Sequence, residues 1–265
     1  MPRPGSPRAR WRALAAAIAV AGTASAEPGD DAARLVETAK LADSERAAAI
    51  YEARAVQNPE SFDARFGAAR ALTQVMAIRS NGNLPLVDGL QDTGANRALW
   101  ADLGQRALDH ARAAQKLDPQ SPAAAAALAS SYMFYASSLG IIRSIVSGAG
   151  TEYRAHAQRL IDLDPKYDDA LGASLLANFY LVAPWPIHDR DAALEQFEKA
   201  AKLAPDSVRN HYGLAVFWAR DGDASRARTH FERTVALPCT PRTERLFCDF
   251  MKQTAQRELA RLASR

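Results

Sequence analysis

The chain has 265 residues, 48% of them hydrophobic, with 33 lysines and arginines against 30 acids, for a formal net charge of +3. That is enough chain for one large domain or two small ones with a proper buried core. The small basic excess is concentrated in the first twelve residues, which carry Arg3, Arg8, Arg10 and Arg12 and no acid, so the remainder lacks the basic patch that nucleic-acid or anionic-membrane binding needs.

The first twelve residues are followed by an apolar run from Ala13 to Ala21 and then by Thr-Ala-Ser-Ala, with Ala24-Ser25-Ala26 fitting the small-x-small cleavage rule. Basic, apolar and small-residue regions in that order predict a cleavable secretory signal peptide over residues 1–26. The apolar run is far shorter than the ~20 residues that span a bilayer. No cysteine follows the cleavage point, so there is no lipobox, and Arg8-Ala-Arg10 is not a twin-arginine pair. Cleavage after Ala26 removes four arginines and no acids and moves the net charge from +3 to −1. The expected location is the periplasm, with no transmembrane segment in the mature chain and no nucleic-acid partner.

Residues 27–265 read as one helical domain of about eleven helices: 31–41, 44–57, 61–79, 95–117, 122–139, 151–163, 167–182, 189–203, 206–220, 223–236 and 241–262. Four of them share an end pattern: AIYEARAVQNP (49–59), ALDHARAAQKLDP (107–119), AHAQRLIDLDP (155–165) and ALEQFEKAAKLAP (193–205). ARTHFERTVALP (227–238) repeats the helix with a slightly earlier turn. In the 193–205 copy Ala193, Phe197, Ala200 and Leu203 lie on one helical stripe, and Pro205 stops the helix. Ala107, Ala111, Ala114, Leu117 and Pro119 hold the same places in the 107–119 copy. The helices that follow carry a large, small and aromatic series, as in Leu214, Ala215 and Trp218 or Leu128, Ala129 and Tyr132, and Gly222-Asp223 makes a turn. This is the pattern of tetratricopeptide (TPR) hairpins. The fold class is therefore all-α, a TPR-like helical-hairpin solenoid. The last helix, with Phe247, Phe250, Met251, Ala255, Leu259 and Leu262, caps its end.

The terminal prolines Pro59, Pro119, Pro165 and Pro205 are 60, 46 and 40 residues apart, whereas a plain repeat is about 34 residues long. The excess falls each time between the two helices of a hairpin, as inserts at 81–100, 140–151 and 183–191. Equivalent turns stack, so all three inserts leave the same edge. Each is apolar: Leu84, Pro85, Leu86, Val87 and Leu90; Ile141, Ile142, Ile145 and Val146; Pro184, Trp185, Pro186 and Ile187. Such an edge packs on itself, lines a pocket or meets a partner. The residues nominated for contact with a ligand or partner are Trp185, Ile187, Ile141, Ile142, Ile145, Tyr132, Tyr135 and Tyr180, since aromatic side chains contribute disproportionately to interfaces.

Cys239 and Cys248 are expected to form a disulfide, because an exported chain meets an oxidising compartment and the two are close in sequence. No metal-binding, phosphate-loop, dinucleotide or nucleophile-elbow motif is present. Gly148-Ala149-Gly150 reads as a hinge, His188-Asp189 as the opening of a helix capped by Asp189, and His211 as a packing residue. The chain is read as a binding protein, not an enzyme, with no catalytic residues, no metal and no cofactor.

The stretch APWPIHDRDAALEQFEKAAKLAPDSVRNHYGLAVFWARDGDASRARTHFERTVALP, with its proline-containing turn, Asn210 and Gly222-Asp223, resembles the T-component (TatT-type) family of TPR-associated TRAP transporters. Leu163-Asp164-Pro165, Gly172 and Leu175 extend the likeness upstream, so that it covers roughly residues 150–238. The resemblance implies a periplasmic helical protein, a homotrimer, that associates with a substrate-binding protein and handles small apolar acidic ligands in a hydrophobic cavity. The family representative is lipid-anchored, whereas this chain lacks the lipobox cysteine. The alternative is an envelope-assembly scaffold that docks another envelope protein's peptide in the concave groove, without a ligand cavity. Trp185→Ala is expected to weaken ligand or partner binding more than folding, and a large fall in melting temperature with unchanged binding would show that Trp185 only closes the edge.

Overall fold

The structure is a computed structural model, and it describes residues 28–80, 92–184, 187–239 and 245–264. The signal segment and most of the first insert lie outside these residues, as do Trp185 and Pro186. Among the described residues there are twelve α-helices and no strand. They are α1 (Pro28–Glu37), α2 (Leu41–Gln57), α3 (Phe62–Arg79), α4 (Gly94–Leu117), α5 (Pro122–Ser138), α6 (Gly140–Val146), α7 (Ala149–Leu163), α8 (Tyr167–Val182), α9 (Arg190–Leu203), α10 (Val208–Asp221), α11 (Ala224–Ala236) and α12 (Arg245–Ala263). The hairpins are α1–α2, α3–α4, α5–α7, α8–α9 and α10–α11. First helices touch first helices in series (α1, α3, α5, α8, α10), and α12 packs on both α10 and α11 as the cap.

Eleven of the twelve helices match the sequence expectation to within a few residues. The exception is α6, where an irregular insert was expected. Leu139 closes α5, Gly140 at φ 73° restarts the helix, and Gly148 at φ 72° ends it again. Both glycines sit in left-handed backbone that other residues enter only at a cost.

The turns between hairpins share one mechanism. Each terminal proline is followed two residues later by a capping serine in three copies. Ser61 accepts from Ala64 N at 3.2 Å, Ser121 from Ala124 N at 3.2 Å and Ser207 from Asn210 N at 3.3 Å, which satisfies one of the orphan amides at each helix start. The Pro165 copy has Tyr167 in that place. There the chain enters α8 through three left-handed residues, Asp168, Asp169 and Ala170, at φ 50°, 54° and 61°. Two buried side chains of α10 hold this turn. Arg209 reaches the Asp168 carbonyl and lies 3.7 Å from its carboxylate. Asn210 donates to Asp169 O at 2.9 Å and to Ala200 O at 3.1 Å, and its own side-chain oxygen accepts from Ser174 Oγ at 3.3 Å.

Hairpins dock through a large-to-small fit. Eight residues before Pro59 stands Tyr51 and eight after it Gly67, and a β-carbon on Gly67 would lie 2.4 Å from the Tyr51 ring. Around Pro205 the same places hold Phe197 and Gly213, again with 2.4 Å between the ring and the absent β-carbon. Around Pro119 they hold Ala111 and Ala127, and around Pro165 Ala157 and Ala173, all four buried. Where one partner is a ring the other is glycine; where one is alanine so is the other. Within the inner layer, α8 is buried from Ala170 through Ala177, and between Val208 and Trp218 of α10 every residue but His211 is buried, so both helices are enclosed by their neighbours.

Cys239 and Cys248 are bonded, with Cα atoms 5.9 Å apart, inside the usual range for a disulfide. The bond ties the start of α12 to the end of α11. Replacing both cysteines by serine is expected to lower stability by about 2–3 kcal/mol, the chain-entropy value for so short a loop, checked by denaturant unfolding of oxidised wild type against the variant.

Candidate functional site

The described ends of the three inserts meet, as stacking of equivalent turns requires. Asp92, where the chain re-enters after the first insert, pairs with Arg97 at 3.0 Å. The Arg97 guanidinium lies 3.4 Å from where a β-carbon of Gly140 would be, at the start of α6. At the other end of that insert, a β-carbon on Gly150 would lie 3.2 Å from Phe179 and 3.4 Å from Ile187. Gly150 is therefore not a hinge: it lies inside α7 and allows the third insert to sit directly on that helix. The third insert turns through Ile187 N and His188 N, which donate to Pro184 O at 2.9 and 3.1 Å, and returns by Asp189 N donating to Tyr180 O at 3.1 Å. Asp189 then caps α9 by accepting from Ala192 N at 2.9 Å.

On this edge α6 presents aliphatic carbon to solvent. Ile142 is 80% exposed, Val146 83% and Ile145 45%, and Val182 at the end of α8 is 54% exposed. Ile142, Ile145 and Val146 are spaced i, i+3, i+4 and share a face. The hydroxyls of α6 and its C-cap turn inward: Ser144 Oγ donates to Ala136 O at 2.8 Å and Ser147 Oγ to Ser144 O at 3.3 Å. From Pro119 through Thr151 the chain has no acid, and Arg143 is its single charge.

The nominated residues fall into three groups. Ile142 and Ile145 are exposed on α6, and Ile187 is half-buried against α7. Tyr135 and Tyr180 are half-buried, with the Arg154 guanidinium 5.7 Å from the Tyr180 ring centre. Tyr132 belongs to the core. Only its hydroxyl reaches out, donating to Glu152 Oε2 at 2.9 Å. Burial, then that bond, push its phenol well above the ordinary range. Tyr132 thus supports the edge from beneath. Trp185 lies outside the described residues, and of Ile141 only the backbone of α6 is described. Val146 and Val182 belong to the exposed set and were not nominated: Val146 completes the α6 face once the segment is known to be helical.

Beside Tyr132, His156 lies edge-on at 5.1 Å. Burial holds it below the usual imidazole range, and the neighbouring Glu152 carboxylate partly offsets that. A histidine pair, unseen in the sequence, joins α10 to α11: His211 Nδ1 and His230 Nδ1 are 3.1 Å apart. Among the described residues no three His, Cys, Asp or Glu side chains are placed to hold a metal ion, and no helix is long and apolar enough to cross a membrane. A cleft between α10, α11 and α12, lined by Val216, Ala219, Arg220, Phe231, Thr254 and Glu258, holds about 190 Å³, less than the ~300–1,000 Å³ of small-molecule sites.

No family model and no curated protein matches the chain. Among solved structures, the thermophilic TPR protein TTC0263 of Thermus thermophilus superposes with a TM-score of 0.58 at 15% identity, over 87% of this chain and 99% of that one. Yeast Tom70 aligns at a TM-score of 0.34 and 15% identity, over 92% of this chain and 67% of that one, a likeness too low to carry an argument. The first of these shows the fold: the chain is a TPR-like solenoid.

Gly150→Val is expected to push the third insert off α7, because added methyls would meet Phe179 and Ile187 at once. A cost of about 1–3 kcal/mol in thermal or denaturant unfolding follows from overpacking of this kind.

Proposed function

We propose that the chain is a non-catalytic, exported TPR-type scaffold whose insert edge is its docking surface for a protein partner. The observation that carries this reading is the exposed aliphatic face of α6, formed by Ile142, Ile145 and Val146. Clustered apolar exposure of this kind marks interaction surfaces in otherwise polar proteins. The stiff construction of the edge supports it: the third insert is pinned by its own turn bonds and by Gly150, so binding would cost little ordering entropy. The disulfide between Cys239 and Cys248 accords with an oxidising compartment such as the periplasm.

Two narrower alternatives have less support. A ligand-handling bore would need room along the inner layer, where α8 and α10 are packed on all sides. A peptide in the concave groove would need those same helices to offer a solvent face. The TRAP-transporter role, with a periplasmic substrate-binding protein as partner and three copies assembled, rests on the resemblance over residues 150–238. It uses the same edge, since the proline-containing turn at 183–191 is its most specific string.

The double variant Ile142→Asp, Val146→Asp tests the docking reading. Both side chains are solvent-exposed, so stability should stay within about 1 kcal/mol of wild type. Native mass spectrometry of the mature protein from cell envelopes should show a co-purifying protein with wild type and its loss with the variant. Retention of the same partner by the variant would move the docking surface elsewhere.

A further inference from the structure

The joint between the fourth hairpin, α8–α9, and the fifth, α10–α11, adds a set of polar bonds to the packing of Phe197 on Gly213. Asn210 on α10 bonds the carbonyls of Ala200 and Ala204 at the end of α9, at 3.1 and 3.4 Å. Arg233 on α11 pairs with Asp206 in the α9–α10 turn at 2.9 Å. Between these lies the histidine pair. His211 Nε2 is 2.9 Å from Pro205 O, in the same turn. A carbonyl only accepts, so that nitrogen carries a proton, and the neutral ring is left with a lone pair on Nδ1. Facing it at 3.1 Å is His230 Nδ1, which must therefore donate. The two rings meet through these nitrogens, with planes 27° apart and centres separated by 5.4 Å. One proton lies between them, and a continuous chain of bonds runs from the turn through α10 to α11.

We propose that the His211–His230 pair is an acid-sensitive lock on the joint between the last two hairpins of the solenoid. The contact tolerates one Nδ1 proton. If both rings are fully protonated, two N–H groups face each other at 3.1 Å and the bond is replaced by repulsion between two cations. Burial, then the adjacent His211, push His230 down to about 4. The linkage sign follows. In the unfolded or opened chain His230 titrates near 6.5, well above its value in the closed joint. The lock's contribution is fully present above about pH 6.5, declines as the pH falls below that, and is lost by about pH 4.

Several charged groups on the elements around the pair are paired with one another. In the α9–α10 turn and on α11, Asp206 and Arg233 pair with each other, and Asp223 and Arg226 pair at 2.8 Å. Arg209 on α10 pairs with Asp168 of α8, and Glu258 with Arg261 on α12 at 2.7 Å. Lys202 of α9 is exposed. This inference does not depend on the docking edge.

Because His156 is also held neutral by burial, whole-protein melting would mix two histidines, and a local readout is required. Amide exchange, corrected for intrinsic rates, should be measured between about pH 7 and pH 5, above the carboxylate range so that Asp206–Arg233 persists. Protection over 206–236 should fall by about tenfold or more on acidification while that of α3–α5 changes less. His230→Gln keeps a donor toward His211 without titrating, and should flatten that response. In wild type, the His230 ring should titrate well below the ordinary imidazole value by NMR. A His230 midpoint near the ordinary imidazole value would overturn the proposal. So would an equal loss of protection over 206–236 in the Gln variant, and if that variant fails to fold, the NMR titration of the native chain decides alone.

Discussion

Everything in this solenoid hangs on how closely one hairpin approaches the next, and that distance is set by a pair of side chains placed symmetrically about each turn proline. Tyr51 lies on Gly67 and Phe197 on Gly213, in each case where a β-carbon would be 2.4 Å from the ring. Ala111 with Ala127 and Ala157 with Ala173 occupy the same places in the intervening joints. Protein interiors are close-packed, so a ring at one of these places leaves no room for a β-carbon at the other. The inner-layer helices α8 and α10 are then enclosed by their neighbours over most of their length. Sequence freedom is displaced to the edges, which the repeat does not dictate.

That displacement explains the form of the insert edge. The core repeat ends each hairpin helix at a fixed place, so extra chain can enter only between the two helices of a pair. Three inserts enter there, and their described ends touch through Arg97 and Gly140 at one contact and Gly150 and Ile187 at another. The joint between the last two hairpins adds polar groups to its apolar packing. It contains Asn210, which holds α8, α9 and α10 together, and the histidine pair, which adds α11.

Much of this was legible in the residues alone, because the repeat is redundant: prolines at 59, 119, 165 and 205, each with its stripe of alanines, fix element ends to within a few residues. The location of the inserts at hairpin tips followed from the same arithmetic. Two things were not legible. α6 spans seven residues, too few for a helical period to emerge, and its bracketing glycines read equally well as loop residues. The His211–His230 contact joins residues 19 positions apart across a turn. Recognising it requires the rotational register of two helices, and a sequence pattern conveys only their apolar faces. Tyr132 fits both readings, as the aromatic of its repeat and as a contact residue beside an insert; its ring is buried on α5 and its hydroxyl donates to Glu152.

The Pro165 joint shows what happens when one part of the repeat is missing. Without a serine after the proline, the chain takes three left-handed residues to begin α8, and Arg209 and Asn210 from the following hairpin hold them in place. The paired positions about each proline have a comparable meaning for descent. Neither member of a pair is free to change alone, since a ring demands glycine and an alanine demands another alanine, sixteen residues away. A substitution at one place therefore calls for a matching change at the other before two hairpins can return to their spacing.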